Sequence, residues 1–283
     1  MKDPNKRWIV YDANCGLCLF SKKWMSRLGF FNESDCLNYY ELSPEMSQKV
    51  ELERFKHGMA HAPEGAGDTL YGLEGVLSAF SEKRPYLKKW HRNTLIFRVL
   101  DFFYHAICHN RYFIFPIKRR FTCDCEPPFN PRFYRRWIYL GVFFSTLISF
   151  LFGMALGKLF DMAPLVSGLR AVMVVGAGWT VQLAVALLLM NKLQFRDYIR
   201  HITLIMSAGV LVLIPCLLFF WLPVSYLLPL TLLSVGASSL LMLSMHIKRI
   251  RFMELGQQWT FSWFLSLQTV AFTLMLHYQF IQL

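Results

Sequence analysis

The sequence places its most reactive side chains near the N-terminus, in the segment Asp12-Ala13-Asn14-Cys15-Gly16-Leu17-Cys18. Two residues separate the cysteines, which lets both sulfurs meet at the first turn of a helix. There the unpaired backbone N–H groups and the positive end of the helix dipole stabilise a thiolate. Because a thiolate is the attacking species in disulfide exchange, we expect Cys15 to attack and Cys18 to resolve the mixed disulfide.

The carboxylate of Asp12 lies three residues before Cys15. A buried carboxylate raises the pKa of a neighbouring thiol, so we interpret Asp12 as a proton acceptor for Cys18 and not as an activator of Cys15. Arg111 is expected to hold the end of the same domain by pairing with a buried acid such as Asp12. The sequence contains neither a phosphate-binding glycine loop nor a dinucleotide fingerprint, and we predict no cofactor.

A zinc site is the alternative use of the cysteines. Cys123 and Cys125 could join Cys15 and Cys18 in a four-thiolate site, which would make the domain a non-catalytic zinc- or partner-binding module. A Cys-x-Cys pair is an unusual half-site, however, and the position of Cys15 and Cys18 favours redox chemistry. Cys123 and Cys125 have two further interpretations, as an auxiliary redox pair or as reduced loop thiols.

The elements around Cys15 and Cys18 are predicted from short apolar runs and helical spacing. Gly16 to Leu28 carries apolar residues at helical intervals after a β-prone run, so the cysteines lie where a strand passes into a helix. Strands alternating with helices indicate an α/β thioredoxin-like domain over residues 1–130. The predicted elements are strands at Trp8–Tyr11, Leu37–Tyr40 and Thr69–Tyr71, helices at Gly16–Leu28, Pro44–Lys56, Leu73–Lys83 and Thr94–His109, and a loop at His57–Gly67 whose histidines are surface residues.

Two segments carry a family resemblance. The segment Tyr11–Cys18, with its Asp-x-x-Cys-x-x-Cys pattern, resembles the DCC family (DUF393) of thiol-disulfide oxidoreductase-like domains. The segment Tyr104–Tyr112, which ends in Asn-Arg-Tyr and is followed by Cys123, is similar to the end of that family's domain. The resemblance covers about residues 7–126. It implies a thioredoxin-like fold and thiol-disulfide exchange. We separately predict a structural or auxiliary role for Arg111 and Cys123.

The chain changes character near residue 137. Residues 1–136 hold 22 basic and 15 acidic residues, whereas residues 137–283 hold 8 and 3. An uncharged apolar stretch of about 20 residues spans a bilayer as a helix. The second half therefore excludes a single soluble domain, and we predict an all-α membrane domain over residues 131–283. Its five predicted spans lie at about 137–157, 168–191, 201–221, 226–247 and 257–280, a count that rests on spans of about 20 residues.

The distribution of Lys and Arg predicts the orientation of these spans. Basic residues are rich before the first span and in alternate loops, as expected for a cytoplasmic N-terminus and an exported C-terminus. We therefore expect a multi-pass protein of a bacterial inner (plasma) membrane, with the redox domain in the cytoplasm. Membrane lipid explains the net charge of +12 better than nucleic acid, which is not predicted as a partner. The expected redox partner is a protein or a small-molecule disulfide or thiol.

Minor features of both halves are predicted to be structural. Cys216 is interpreted as a packed thiol, and His201, His246 and His277 as residues at the membrane interface. His105 and His109 stand four residues apart and could bind a metal, but we favour an interfacial helix that faces lipid through neighbouring phenylalanines.

Overall fold

The computed structural model describes residues 6–89, 94–117, 120–122, 125–159, 161–219, 222–267 and 269. The chain divides into two compact units, residues 1–137 and residues 138–283. The first unit combines a small sheet with helices, and the described part of the second consists of helices and the turns that join them.

The first unit is built on a four-stranded mixed sheet with the order β2-β1-β3-β4. Its strands are β1 (Arg7–Tyr11), β2 (Cys36–Asn38), β3 (Ala60–Pro63) and β4 (Leu70–Tyr71). β1 pairs with β2 in parallel and with β3 in antiparallel, and β3 pairs with β4 in antiparallel. Successive side chains of β1 point to opposite faces, so Val10 and Ile9 enter two separate buried clusters. The carboxyl end of this central strand leads directly into Asp12.

Short helices cover the sheet. They are α1 (Gly16–Arg27), α2 (Pro44–Lys49), α3 (Leu52–Phe55), α4 (Gly72–Lys83), α5 (Leu95–Cys108) and α6 (Arg111–Ile114). Single turns of 3₁₀-helix lie at Glu33–Asp35, Tyr39–Glu41 and Pro85–Lys89. Ser43 caps α2 and Thr94 caps α5 by accepting a hydrogen bond from a backbone N–H of the first turn, which is the usual role of these residue types.

Two predictions for this unit were wrong. The predicted loop His57–Gly67 contains strand β3, which lies between β1 and β4 in the sheet. Its run Ala-His-Ala-Pro lacks the β-branched and aromatic residues that mark a strand, and its place is fixed by pairing on both sides. The predicted helix Pro44–Lys56 is divided into α2 and α3, because Val50 and Glu51 take extended backbone angles.

The second unit and the segment before it form long apolar helices. The described residues contain four helical stretches that are long and apolar enough to cross a membrane. They are Pro131–Gly157, Pro164–Leu189, Lys192–Leu218 and Val224–Phe252. We label the constituent helices α7 (Pro131–Gly157), α8 (Pro164–Leu189), α9 (Lys192–Leu211), α10 (Ile214–Leu218) and α11 (Val224–Phe252). Four of the five predicted spans correspond to these stretches.

The helices are longer than the predicted spans, because they continue through charged turns at their ends. α9 begins at Lys192 with an Asn191 capping box, only two residues beyond Leu189 at the end of α8 and well before the predicted start at 201. The fifth predicted span, 257–280, lies mostly outside the described residues. Its described part is helical at 258–267.

Candidate active site

Cys15 and Cys18 occupy the N-terminus of α1, as the sequence predicts. Cys15 is the N-cap residue, with an extended backbone, and its Sγ accepts a hydrogen bond from the backbone N–H of Cys18 at 3.3 Å. In this capping hydrogen bond a sulfur is the acceptor, where an ordinary N-cap side chain uses an oxygen. A thiolate in this position also faces the positive end of the helix dipole. Both residues are free cysteines.

The pKa values of the two thiols are shifted in opposite directions. The pKa of Cys15 is lowered, chiefly by the hydrogen bond that the Cys18 side chain donates to it, and further by the nearby Arg111 guanidinium, while burial opposes the shift. The same hydrogen bond, together with burial, raises the pKa of Cys18 well above its ordinary value. The pair therefore favours one negative charge on Cys15 and one proton on Cys18, which is the arrangement of a dithiol that shares a single proton.

The accessibility of the two thiols is the reverse of the expected one. Cys15 is 0% exposed, although the sequence interpretation requires it to attack a substrate disulfide. Cys18 is half-buried and lines a cavity described below. The segment Phe115–Ile117 lies against Gly16 at the start of α1, next to Cys15. A Cβ on Gly16 would lie 2.3 Å from the carbonyl oxygen of Phe115, so only glycine permits this close approach.

Asp12 is a fully engaged carboxylate. It is 1% exposed and accepts hydrogen bonds from the Asn14 backbone N–H at 2.8 Å, from the Tyr40 hydroxyl at 3.0 Å and from the Tyr112 hydroxyl. Among the described residues no hydrogen bond joins it to Cys18. Its role as a proton acceptor for Cys18 stays a prediction, and its contacts are those of an anchor that ties β1 to α6.

Arg111 pairs with Asp12, as expected. Its Nη2 lies 3.9 Å from Asp12 Oδ2, and both side chains are buried. The guanidinium also donates to the backbone carbonyls of Lys56 and Cys125, each at 2.7 Å. It therefore joins three distant segments of the first unit. Its positive charge also acts on all three nearby thiols, Cys15, Cys18 and Cys108.

Asn14 fastens a second segment to the site. Its Oδ1 accepts hydrogen bonds from the backbone N–H groups of Arg120 and Phe121 at 2.8 and 3.0 Å, and its Nδ2 donates to the Phe121 carbonyl at 2.9 Å. The ring of Phe121 stacks on Tyr40 with centroids 4.5 Å apart. The motif residue between Asp12 and Cys15 thus supports the chain that follows α6. The sequence does not indicate this structural role, because an exposed asparagine at the start of a helix would have the same local sequence.

A cavity of about 390 Å³ opens beside the cysteines. β1, α1, α4 and α5 contribute to its wall, and its lining is mostly apolar, including Leu17, Met25, Met59, Val76, Phe80 and Ile107. Three cysteines line it, Cys18, Cys36 and Cys108, together with Tyr104 and Arg111. Cys15 is absent from this lining. A pocket of this size and character is suited to a small organic molecule.

Cys108 and Tyr104 are site residues that the sequence patterns did not single out. Burial raises the pKa of Cys108 to about 11, despite the hydrogen bond from Tyr104 that lowers it. Cys108 is therefore a neutral thiol near pH 7, chemically distinct from Cys15. The Tyr104 hydroxyl accepts a hydrogen bond from the Met59 backbone N–H at 2.9 Å. Both residues lie in the segment that resembles the end of the DCC domain, which was the available signal.

The described part of the chain contains no cluster of metal-binding side chains that would support the zinc alternative. Among those residues no group of three or more His, Cys, Asp or Glu side chains could hold a metal ion. Cys125 is buried in the apolar cluster of Val10 and Ala60. Cys123, the fourth ligand of that alternative, lies outside the described residues.

The histidines of the first unit differ from their predicted places. His61 is 1% exposed, with Nδ1 3.1 Å from the Ser78 hydroxyl, so its assignment to the surface was wrong. His57 Nδ1 lies 3.1 Å from His109 Nε2, and the His109 ring stacks on Phe133 at 3.7 Å. α5 exposes Leu95, Val99 and Phe103, which agrees with the apolar stripe predicted for it.

The helical unit contains a buried polar network that the sequence analysis missed. His246, predicted to lie at the membrane interface, is 1% exposed, and its Nε2 lies 3.3 Å from the Tyr198 hydroxyl. Tyr198 in turn accepts from Gln182 at 2.8 Å. His201 is also buried, with Nδ1 2.8 Å from Arg249 Nη1. These contacts join α8, α9 and α11 by hydrogen bonds, a common means of fixing helices in a membrane.

Cys216 is packed as predicted. Its Sγ lies 3.3 Å from the Thr231 hydroxyl, and the residue is buried in an apolar cluster with Phe152 and Leu227.

Comparison of the chain with protein-family models, with curated proteins and with solved structures finds no match.

Proposed function

We propose that the protein is a membrane-anchored thiol-disulfide oxidoreductase whose dithiol, Cys15 and Cys18, exchanges electrons with a disulfide. The observation that carries this proposal is the hydrogen-bonded pair itself. Its two sulfurs share one proton at a helix N-terminus, and Arg111 stabilises the negative charge. Such a pair gives up two electrons and closes into a disulfide when a substrate disulfide accepts them.

The fold supports this proposal. A thioredoxin-like domain needs a β-α-β unit with parallel strands, followed by an antiparallel hairpin in the same sheet. The parallel pairing of β1 with β2 and the antiparallel pairing of β3 with β4 support this assignment. The Cys-x-x-Cys pair follows the central strand, at the position where such domains carry redox cysteines. The resemblance to the DCC family points to the same chemistry.

Asp12 and Arg111 hold this pair in place. The ion pair anchors the turn between β1 and α1 to α6, and the tyrosine hydroxyls complete the hydrogen bonds of the carboxylate. The two charges act on Cys15 in opposite directions: Arg111 lowers its pKa and Asp12 raises it. We assign both as positioning residues that also set the acidity of the dithiol.

The apolar helices support a location of the protein in a membrane. Four described helices of sufficient length and apolarity support an integral membrane protein. The basic residues before the first span and in alternate loops favour a cytoplasmic redox domain and an exported C-terminus. In the cytoplasm, thiols are kept reduced, so the resting dithiol is expected to be the reduced form.

Disulfide mapping of the purified full chain tests the proposal. After mild oxidation, acid quenching and blocking of free thiols, peptide mass spectrometry should find Cys15 joined to Cys18, and a reductant should reverse the bond. Metal analysis of the same sample provides the rival readout. Stoichiometric zinc with both thiols resistant to oxidation would replace redox chemistry by a zinc-binding module.

A further inference from the structure

Of the two cysteines of the dithiol, Cys18 is the one that lines a cavity. Cys15 is 0% exposed, and the segment Phe115–Ile117 lies against the backbone of Gly16. A protein disulfide cannot reach a sulfur enclosed in this way. Cys18 instead lines a cavity of about 390 Å³, which a small molecule can fill.

The lining of this cavity indicates a neutral occupant. Its charged residues already have partners: Arg111 pairs with Asp12 at 3.9 Å, and Lys22 pairs with Glu33 at 3.3 Å. The other side chains are mostly apolar or aromatic, and they come from β1, from α1, α4 and α5 and from the segments between these elements. A charged ligand would lose its hydration there without gaining an opposite charge, which is costly. An apolar ligand gains from the burial of its surface.

We propose that the cavity binds a small, neutral, apolar disulfide, R–S–S–R, and presents it to Cys18 Sγ. This inference rests on the proposed function and names the substrate class of the same site. It reverses the order expected from the sequence, because Cys18 makes the mixed disulfide and Cys15 resolves it.

The exchange proceeds in two displacements. Cys18 Sγ attacks one substrate sulfur while its proton passes to the Cys15 thiolate along the hydrogen bond between them. The bond from Cys18 to the substrate sulfur forms, the substrate S–S bond breaks, and RS⁻ takes the proton from Cys15 and leaves as RSH. Cys15 Sγ then attacks Cys18 Sγ, the Cys15–Cys18 bond closes, and the second RS⁻ is protonated by water. Two electrons pass from the dithiol to the substrate.

A small apolar thiol reverses these steps. Its thiolate attacks Cys18, the accessible sulfur of the protein disulfide, and Cys15 leaves. The lowered pKa of Cys15 makes it the better leaving group of the two, because thiols of lower pKa leave faster. Cys36 and Cys108 line the same cavity but stay protonated, because burial raises the pKa of Cys36 to about 12 and that of Cys108 to about 11. They therefore border the ligand without competing for it.

The test compares two aromatic disulfides of similar size on the reduced full chain in detergent micelles. One is neutral, 4,4′-dithiodipyridine, and the other is dianionic, 5,5′-dithiobis(2-nitrobenzoate). The readout is the ratio of their rates of Cys18 modification, followed by quenching and peptide mass spectrometry. Val76→Phe fills the cavity and should lower this ratio by about tenfold or more, since it excludes the neutral reagent from its pocket. Val99→Phe makes the same change on the exposed side of α5 and should leave the ratio unchanged.

The sulfur attacked first is tested with Cys18→Ala and Cys15→Ser. The proposal requires Cys18→Ala to abolish fast reaction of the neutral reagent. It requires Cys15→Ser to accumulate the adduct on Cys18, slowly near pH 7 and faster at high pH, because the internal base is lost. Fast adduct formation on Cys15 in Cys18→Ala would overturn the proposal.

A size series on the unmodified chain covers the case in which Val76→Phe does not fold. Neutral dialkyl disulfides should react until they exceed the cavity and then lose reactivity sharply. Uniform reactivity over the series would also overturn the proposal. A reversible Cys15–Cys18 disulfide with no such selectivity would leave the proposed function standing and remove only the substrate class, whereas failure to form that disulfide would remove both.

Discussion

Asp12 and Arg111 lie at opposite ends of the first unit in sequence, yet their side chains form a buried ion pair with Oδ2 and Nη2 3.9 Å apart. The pair sits directly beside the dithiol and joins the turn after β1 to the start of α6. Removal of one partner leaves a buried charge without compensation, which typically costs about 3–5 kcal/mol. Asp12 and Arg111 therefore connect the stability of the domain to the acidity of Cys15.

Asp12→Asn and Arg111→Gln are expected to shift the pKa of Cys15 in opposite directions. Loss of the Asp12 charge lowers it, and loss of the Arg111 charge raises it, since these are the signs of their effects on the thiol. Both variants should lose stability. The measurement is the thiolate absorbance near 240 nm as a function of pH. The signal of Cys15 is the difference between each variant and the same variant that also carries Cys15→Ser. Shifts of the same sign in both variants would contradict the electrostatic assignment.

The rate of disulfide exchange is expected to fall as the pH drops through the pKa of Cys15, which lies below its ordinary value of 9.0. Below that pKa both thiols are protonated, and the internal base is lost. Cys18→Ala removes the main hydrogen bond that lowers this pKa, so the thiolate absorbance of Cys15 should appear at higher pH. Cys216→Ala, in the membrane helices, is the matched control. An unchanged titration in Cys18→Ala would show that the thiols do not share a proton.

Gly16→Ala is expected to displace the segment Phe115–Ile117, because the new Cβ would lie 2.3 Å from the Phe115 carbonyl oxygen. Overpacking of this kind costs about 1–3 kcal/mol. Displacement should also expose Cys15 to a charged maleimide that does not label the unmodified protein. Lys23→Ala, on the exposed face of α1, controls for the loss of helix contacts. Unchanged labelling of Cys15 in the folded variant would mean that another element covers this sulfur.

His61 is expected to make the first unit sensitive to acid. Burial lowers its pKa to about 4, although Glu82 lies 3.4 Å away. The Glu82 side chain is 51% exposed, so solvent screens its charge and burial prevails. The folded state therefore favours neutral histidine: this contribution is complete above about pH 6.5, the unfolded pKa, and is lost as the pH falls toward the folded pKa.

His61→Asn should flatten this dependence. Acid unfolding of the full chain, followed by near-UV circular dichroism between pH 7 and 4, provides the measurement. The total loss attributable to His61 is about 3 kcal/mol for a shift of this size. A variant whose stability declines as steeply as that of the parent chain would assign the acid sensitivity to other groups.

The orientation of the membrane helices is tested with reporter fusions. Five spans and a cytoplasmic N-terminus predict that a reporter after Leu283 is exported, whereas one after Phe252, the end of α11, stays in the cytoplasm. The paired fusions control for each other, because they differ only by the last predicted span. A cytoplasmic reporter at both positions would remove the fifth span, and an exported reporter after Phe252 would reverse the topology.

The sequence predicts those features that depend on local residue types. The dithiol at the start of α1, the apolar stripe of α5 and four of the membrane spans follow from spacing and hydropathy. The Asp12–Arg111 pair was predicted as well, through the rule that buried charges pair. These features need only the neighbouring residues or one general rule.

Other features depend on contacts between distant segments, which the sequence does not display. β3 lacks strand-forming residues and is held by its neighbours on both sides. Gly16, next to the buried Cys15, lies against the segment Phe115–Ile117, which is distant in the chain. The burial of His201 and His246 depends on which helices of the bundle are adjacent. In each case tertiary packing overrides a local preference.

The most direct test of the central claim is an equilibrium redox titration of the full chain against dithiothreitol. Free thiols are blocked at each ratio of reduced to oxidised reagent, and the Cys15–Cys18 disulfide is quantified by mass spectrometry. We predict one reversible transition of two electrons, with a tenfold change in the equilibrium constant for about 30 mV, absent in Cys18→Ala and retained in Cys216→Ala. Two cysteines that stay reduced over the whole range would contradict the account.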